Sequence, residues 1–135
     1  MSRKVLSLFV ATALFGGVAL SQPGAEGGKP DATAGQRLKL AREVYAEKME
    51  LVKNREGYDI EDLELWSQNL LGAELAVAGK PAERTAAHEA HVERAKELEK
   101  LARAYQRAGQ GRNSDALAAE FYRLQAEARL AENQP

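Results

Sequence analysis

Apolar side chains in this chain recur every three or four residues, and nowhere after residue 33 do they alternate with polar ones. A three- or four-residue step stacks side chains on one face of a helix, whereas a half-buried strand needs a two-residue step. The pattern therefore predicts an all-α fold. The chain has no cysteine. No disulfide can staple it, so the fold must rest on apolar packing.

Glycine and proline punctuate the pattern into about four helices. The first is expected from about residue 34 to 55, with Leu38, Ala41, Tyr45, Met49 and Val52 on one face and Gly57 ending it. Asp59 is placed to cap the second, whose stripe is Leu63, Trp66, Leu70, Ala73 and Val77. Leu65 and Leu71 fall partly outside that stripe. Gly79 stops this helix, and Pro81 suits the first position of the third, about 81 to 108. The third helix buries His88, Val92, Ala95, Leu98, Ala102 and Tyr105, and pairs Glu93 with Lys96, Glu97 with Lys100 and Glu99 with Arg103 on its outer face. Gly109 and Gly111 break it. Asn113 or Ser114 can cap the fourth helix, whose stripe of Leu117, Phe121, Leu124, Ala128 and Ala131 is expected to face the core. Short connections make neighbours antiparallel. The expected architecture is a helical domain over 34–132 of antiparallel hairpins, about 34–78 and 81–132, arranged as an up-down bundle or as paired coiled-coil hairpins. Six aromatics after residue 21 make a modest core, which leaves room for self-association.

Residues 1–21 read as a secretory signal peptide. Arg3 and Lys4 form its positive start, Val5 to Leu20 its apolar run, and Ala19-Leu20-Ser21 its cleavage site. The run is weakly apolar and short for a membrane span. The expectation is an exported protein, periplasmic or secreted, with no membrane span after cleavage. Residues 22–33, rich in Gly, Pro and single charges, read as a disordered linker. Beyond residue 21 the chain carries 17 basic and 20 acidic side chains, a net charge near −3. That excludes a strongly basic surface for nucleic acid.

A shift of 53 residues lays the second helix on the fourth: Asp62 meets Asp115, Leu71 meets Leu124, and Ala73-Glu74 meets Ala126-Glu127. This predicts a duplicated helix-turn-helix unit. Tyr105, Gly109, Asp115, Leu117, Ala119 and Leu124, followed by Ala126 and Leu130, resemble the hairpin repeat of TolC-type outer-membrane efflux proteins. The resemblance covers about residues 98–132 and, more faintly, 44–78. In that family the glycine-to-aspartate turn forms the periplasmic tip of a helical hairpin. Each chain has two such tips, and they meet a hairpin of a periplasmic adaptor protein. By resemblance, Gly109, Arg112 and Asp115, with Gly57 and Asp62, form a partner-binding surface. Gly57 lies five residues before Asp62, so that turn is one residue shorter than the six-residue step from Gly109 to Asp115. Nothing in the chain supplies the family's membrane β-strands, and the helices are short for its tunnel, which excludes a complete channel.

His88 and His91 are the only histidines. Their spacing is not that of His-Glu-x-x-His, because Val92 occupies the second ligand's place. They belong at the edge of the core. They could hold Zn²⁺ or Cu²⁺ only if a carboxylate from another helix joined them. Ser67 and Ser114 show no assembled nucleophile and base, and no phosphate loop follows a strand. The sequence calls for no cofactor and argues against an enzyme. The function expected first is an exported helical protein acting by helix–helix contacts in the cell envelope. The alternative is a small periplasmic metal-binding or stress-sensing helical protein, and a third reading is a binding surface for unfolded clients.

Overall fold

The computed structural model describes residues 32–57 and 59–134. The expected signal peptide and most of the linker lie outside them. Four helices follow in order: α1 (Ala32–Lys53), α2 (Ile60–Val77), α3 (Pro81–Arg107) and α4 (Asn113–Glu132). The last two positions assigned to the linker are thus helical.

α1 packs on α2 and α4 on α3, which makes two hairpins, and the α2–α3 contact joins them into a four-helix bundle. α2 and α3 are the central pair. α1 reaches α3 through Lys53, which pairs with Glu97 at 3.0 Å, and through the Val52 carbonyl, which accepts from the Tyr105 hydroxyl. Glu97 therefore serves the bundle rather than the expected Lys100. α4 touches α2 only lightly and does not pack on α1.

The main core joins Met49 and Val52 of α1, Ile60 and Leu63 of α2, Leu98, Ala102 and Tyr105 of α3, and Ala119 of α4. Smaller clusters sit under Ala41, Leu70 and Ala73 and under Val92, Ala95 and Ala126. The stripes of α1, α2 and α3 face inward as their periodicity predicts, except that Leu38, Tyr45, Trp66 and Val77 are only half-buried. Leu65 is exposed as expected, whereas Leu71 is buried. α2 is covered by neighbours on more than one side, so its buried sector is wider than a single stripe.

α4 is turned the other way. Leu117, Phe121 and Leu124 are 56%, 60% and 51% exposed, and Ala128 and Ala131 are exposed beside them. The face that meets α3 is built from Ala116, Ala119 and Ala126. Alanines let the two backbones approach closely. The Arg103–Glu120 and Arg123–Glu99 ion pairs, at 2.8 and 2.6 Å, fix the rotation of α4 about its own axis. A half turn that buried the leucines would strand those charges.

Candidate functional site

Both sequence-marked turns lie at one end of the bundle. They have the same backbone form. Arg55 adopts φ 64° and Gly109 φ 70°. Glu56 N–H donates to Leu51 O and Arg55 N–H to Val52 O, at 2.9 and 3.1 Å. Gln110 N–H donates to Tyr105 O and Gly109 N–H to Gln106 O, at 2.9 and 3.0 Å. This left-handed cap satisfies the last helical carbonyls. Arg55, not Gly57, is therefore the residue that ends α1. Counted from the left-handed residue, the first turn reaches its aspartate in seven residues and the second in six, so the first is longer rather than shorter.

Asp62 and Asp115 occupy the same third position of their helices but do different work. At α2, Asp59 is the cap as expected, and its side chain accepts from Glu61 N–H and Asp62 N–H at 3.0 and 3.1 Å. That leaves Asp62 to bind Lys48 of α1. At α4 the capping residue is Arg112, not Asn113 or Ser114, and it brings no acceptor. Asp115 reaches back instead, accepting from Arg112 N–H at 3.2 Å and Arg112 Nε at 3.0 Å. Asp115 is buried, which raises its carboxyl, but the hydrogen bonds and charge of Arg112 outweigh this and hold it below the usual range. Asp115 is thus a cap within the fold, and the exposed groups of its turn are Arg112 and its neighbours. Gly57 and Gly109 are exposed. Asp59, Ile60 and Glu61 share a polar hollow of about 280 Å³ with Arg112 and Asp115, so the two turns stand side by side.

A second polar group lies inside the bundle, at the contact between the hairpins. Ser67 Oγ of α2 is 3.0 Å from His91 Nδ1 of α3. His91 Nε2 is 4.0 Å from Glu64 Oε1. The three residues are 2%, 1% and 3% exposed. The carboxylate, imidazole and hydroxyl that sequence reading left unassembled are therefore brought together. They are sealed: a substrate reaches the hydroxyl only if the helices part. Arg94 donates to Ser67 Oγ at 3.2 Å, grips Glu74 at 3.0 Å and covers the Tyr45 ring at 5.9 Å.

Burial, aided by the charges of Arg94, Arg129 and His88, pushes His91 down to about 4, which keeps the imidazole neutral at pH 7. Burial raises Glu64, against the pull of a Gln68 hydrogen bond and of Arg129 and Arg94. His88 is buried as well, and its Nδ1 and Glu64 Oε2 make no hydrogen bond among the described residues. His91 lies deeper than the core edge expected for it. No group of three or more His, Cys, Asp or Glu gathers to hold a metal ion among the described residues.

The one signal for the inner polar group was the presence of Glu64 and Ser67 within the turns that carry Leu63 and Leu70. Their partner, His91, is 24 positions from Ser67, beyond the reach of local periodicity.

The geometry defines an all-α bundle of two hairpins, with paired turns at one end and a sealed polar seam between the hairpins. No known protein family, curated protein or solved structure matches the chain.

Proposed function

We propose that this chain is an exported, non-enzymatic helical protein that acts in the cell envelope through helix–helix contacts at its paired-turn end. The observation that carries the reading is the meeting of the two turns. They belong to different hairpins, yet Arg112 and Asp115 share one hollow with Asp59 and Glu61. A helical partner can therefore touch both hairpins at once. The likeness of the second turn to an efflux-protein hairpin tip supports the same end as the contact surface, and an adaptor-like envelope protein as the partner. The signal-peptide pattern of residues 1–21 supports export. No helix among the described residues is long and apolar enough to cross a membrane. The burial of Ser67, His91 and Glu64 favours a structural role for the Ser67–His91 contact.

A photo-crosslinking residue in place of exposed Gln110 tests the reading, because Arg112 is committed to Asp115. A matching probe in place of Arg84, at the opposite end, is the control. The expected result is capture of a helical envelope protein from position 110 and not from position 84. No capture, or the same proteins from both ends, would overturn it.

A further inference from the structure

The fourth helix carries two apolar faces, and the bundle covers one of them. Ala116, Ala119 and Ala126 face inward. Leu117, Phe121, Leu124, Ala128 and Ala131 face outward at alternating four- and three-residue steps. That is the spacing of a coiled-coil seam. A helix apolar on both faces is stable when both are covered.

We propose that the outer face of α4 pairs with α4 of a second copy of this chain, the two helices running parallel about a two-fold axis along their length. The pairing stacks Leu117, Phe121 and Leu124 on their own counterparts. Ala128 and Ala131 let the helices close at the far end.

Charge selects this partner and this orientation. On the α3 side, Lys96, Lys100, Arg103 and Arg107 form a row at four- and three-residue steps. The row runs beside the bulky half of the stripe, because Arg103 binds Glu120 and Glu99 binds Arg123. On the α2 side stand exposed Asp59 and Glu61, level with the start of α4 through the hollow they share with Arg112 and Asp115. Exposed Leu65, one turn after Glu61, extends the apolar edge. A two-fold axis parallel to α4 sets the basic row of each copy opposite the acidic edge of the other, with Arg107 level with Asp59 and Glu61, while Arg103 stays bound to Glu99 and Glu120 of its own subunit. Antiparallel helices would set the basic rows against each other. At the seam itself Glu120 meets Gln125 of the partner subunit, and Glu127 faces Glu132 of the partner subunit, a like-charge contact that Arg123, shared between Glu127 and Glu99, weakens. The turns of both copies then lie at one end, so the pairing holds or fails independently of any tip partner.

Sedimentation equilibrium of the purified protein across a wide concentration range tests this. The expected result is a dimer. Phe121→Asp should weaken it by more than about thirtyfold while leaving helical content intact, because that side chain is outside the core. Arg107→Glu should weaken it about two- to fivefold, and Glu61→Lys added to it should restore the affinity. In a chain without native cysteine, Ala131→Cys reports direction: parallel helices place the two thiols together and give a disulfide-linked dimer on mild oxidation. A wild-type protein that stays monomeric would overturn the proposal. So would a dimer indifferent to Phe121→Asp, or a dimer that Ala131→Cys fails to cross-link.

Discussion

α2 and α4 stand 53 positions apart in register and start alike, each with an aspartate at its third helical position. They differ in which face they cover. α2 puts Glu64 and Ser67 inside, while α4 leaves Leu117, Phe121 and Leu124 outside. Leu71 is buried and Leu124, its counterpart, is not. The cause is position. α2 is flanked by α1 and α3, and α4 leans on α3 alone apart from a light touch on α2. A stripe in sequence shows that residues share a face. Which face is covered depends on how many neighbours the helix has and on what pins its rotation.

The sharpest way to break this comparison is truncation on each helix. Leu63→Ala should cost about 2–5 kcal/mol, because Leu63 sits in the main core. Leu117→Ala should cost no more than about 0.5 kcal/mol in the monomer. Urea unfolding of both at low protein concentration measures the difference, and equal losses would mean that α4 is rotated from the position described.

The polar interior of α2 gives the next effect. His91, which faces Ser67 and Glu64, titrates at about 4 in the fold against an ordinary 6.5. The unfolded chain therefore binds the proton more readily. The contribution of His91 is complete above pH 6.5 and is lost as pH falls toward 4, at about 3 kcal/mol in full. Glu64 acts in the opposite sense: its raised value stabilises at low pH and fades as pH rises through it. Stability measured between pH 7 and pH 4 should fall, and a His91→Gln variant should fall less. An unchanged slope in that variant would remove His91 from the account.

The two aspartates come third. Asp115→Ala should cost about 1 kcal/mol, because it removes the side-chain cap at the N-terminus of α4. Asp62→Ala should cost less than about 0.5 kcal/mol, because Asp59 caps α2 and the pair with Lys48 is half exposed. The last comparison is between the two left-handed residues. Arg55→Gly should stabilise by up to about 1 kcal/mol, and Gly109→Ala should destabilise by about as much. Thermal unfolding of the two variants should move in opposite directions.

Much of the fold was legible from particular residues. The faces of α1 and α3, the Asp59 cap and the Pro81 start follow from spacing and local backbone chemistry, which act within one turn of helix. The failures have a common origin. Alanine carries little hydropathy, so Ala116, Ala119 and Ala126 could not outweigh the leucines of α4 as a mark of the inner face. The exposed φ 64° of Arg55 is invisible where a glycine stands two residues on. The seam of Ser67, His91 and Glu64 joins two helices, and the sequence shows each half without the other. At the turns, the sequence marked residues that the fold gathers at one end of the bundle, and among them Asp115, whose side chain proves to be spent on capping.

Ile60 and Leu63 of α2 pack with Leu98 and Tyr105 of α3 where the hairpins meet, but apolar attraction is non-directional and does little by itself to stop one hairpin from sliding along the other. A displacement of one helical turn, about 5.4 Å, would still give many apolar side chains apolar neighbours. The hydroxyl of Ser67, the ring of His91 and the guanidinium of Arg94 have no such substitutes. Any slide strands them in an apolar interior at about 1–3 kcal/mol for each unpaired group. The sealed seam thus works as a ratchet tooth, holding the two hairpins at a single axial setting and keeping their turns level at one end.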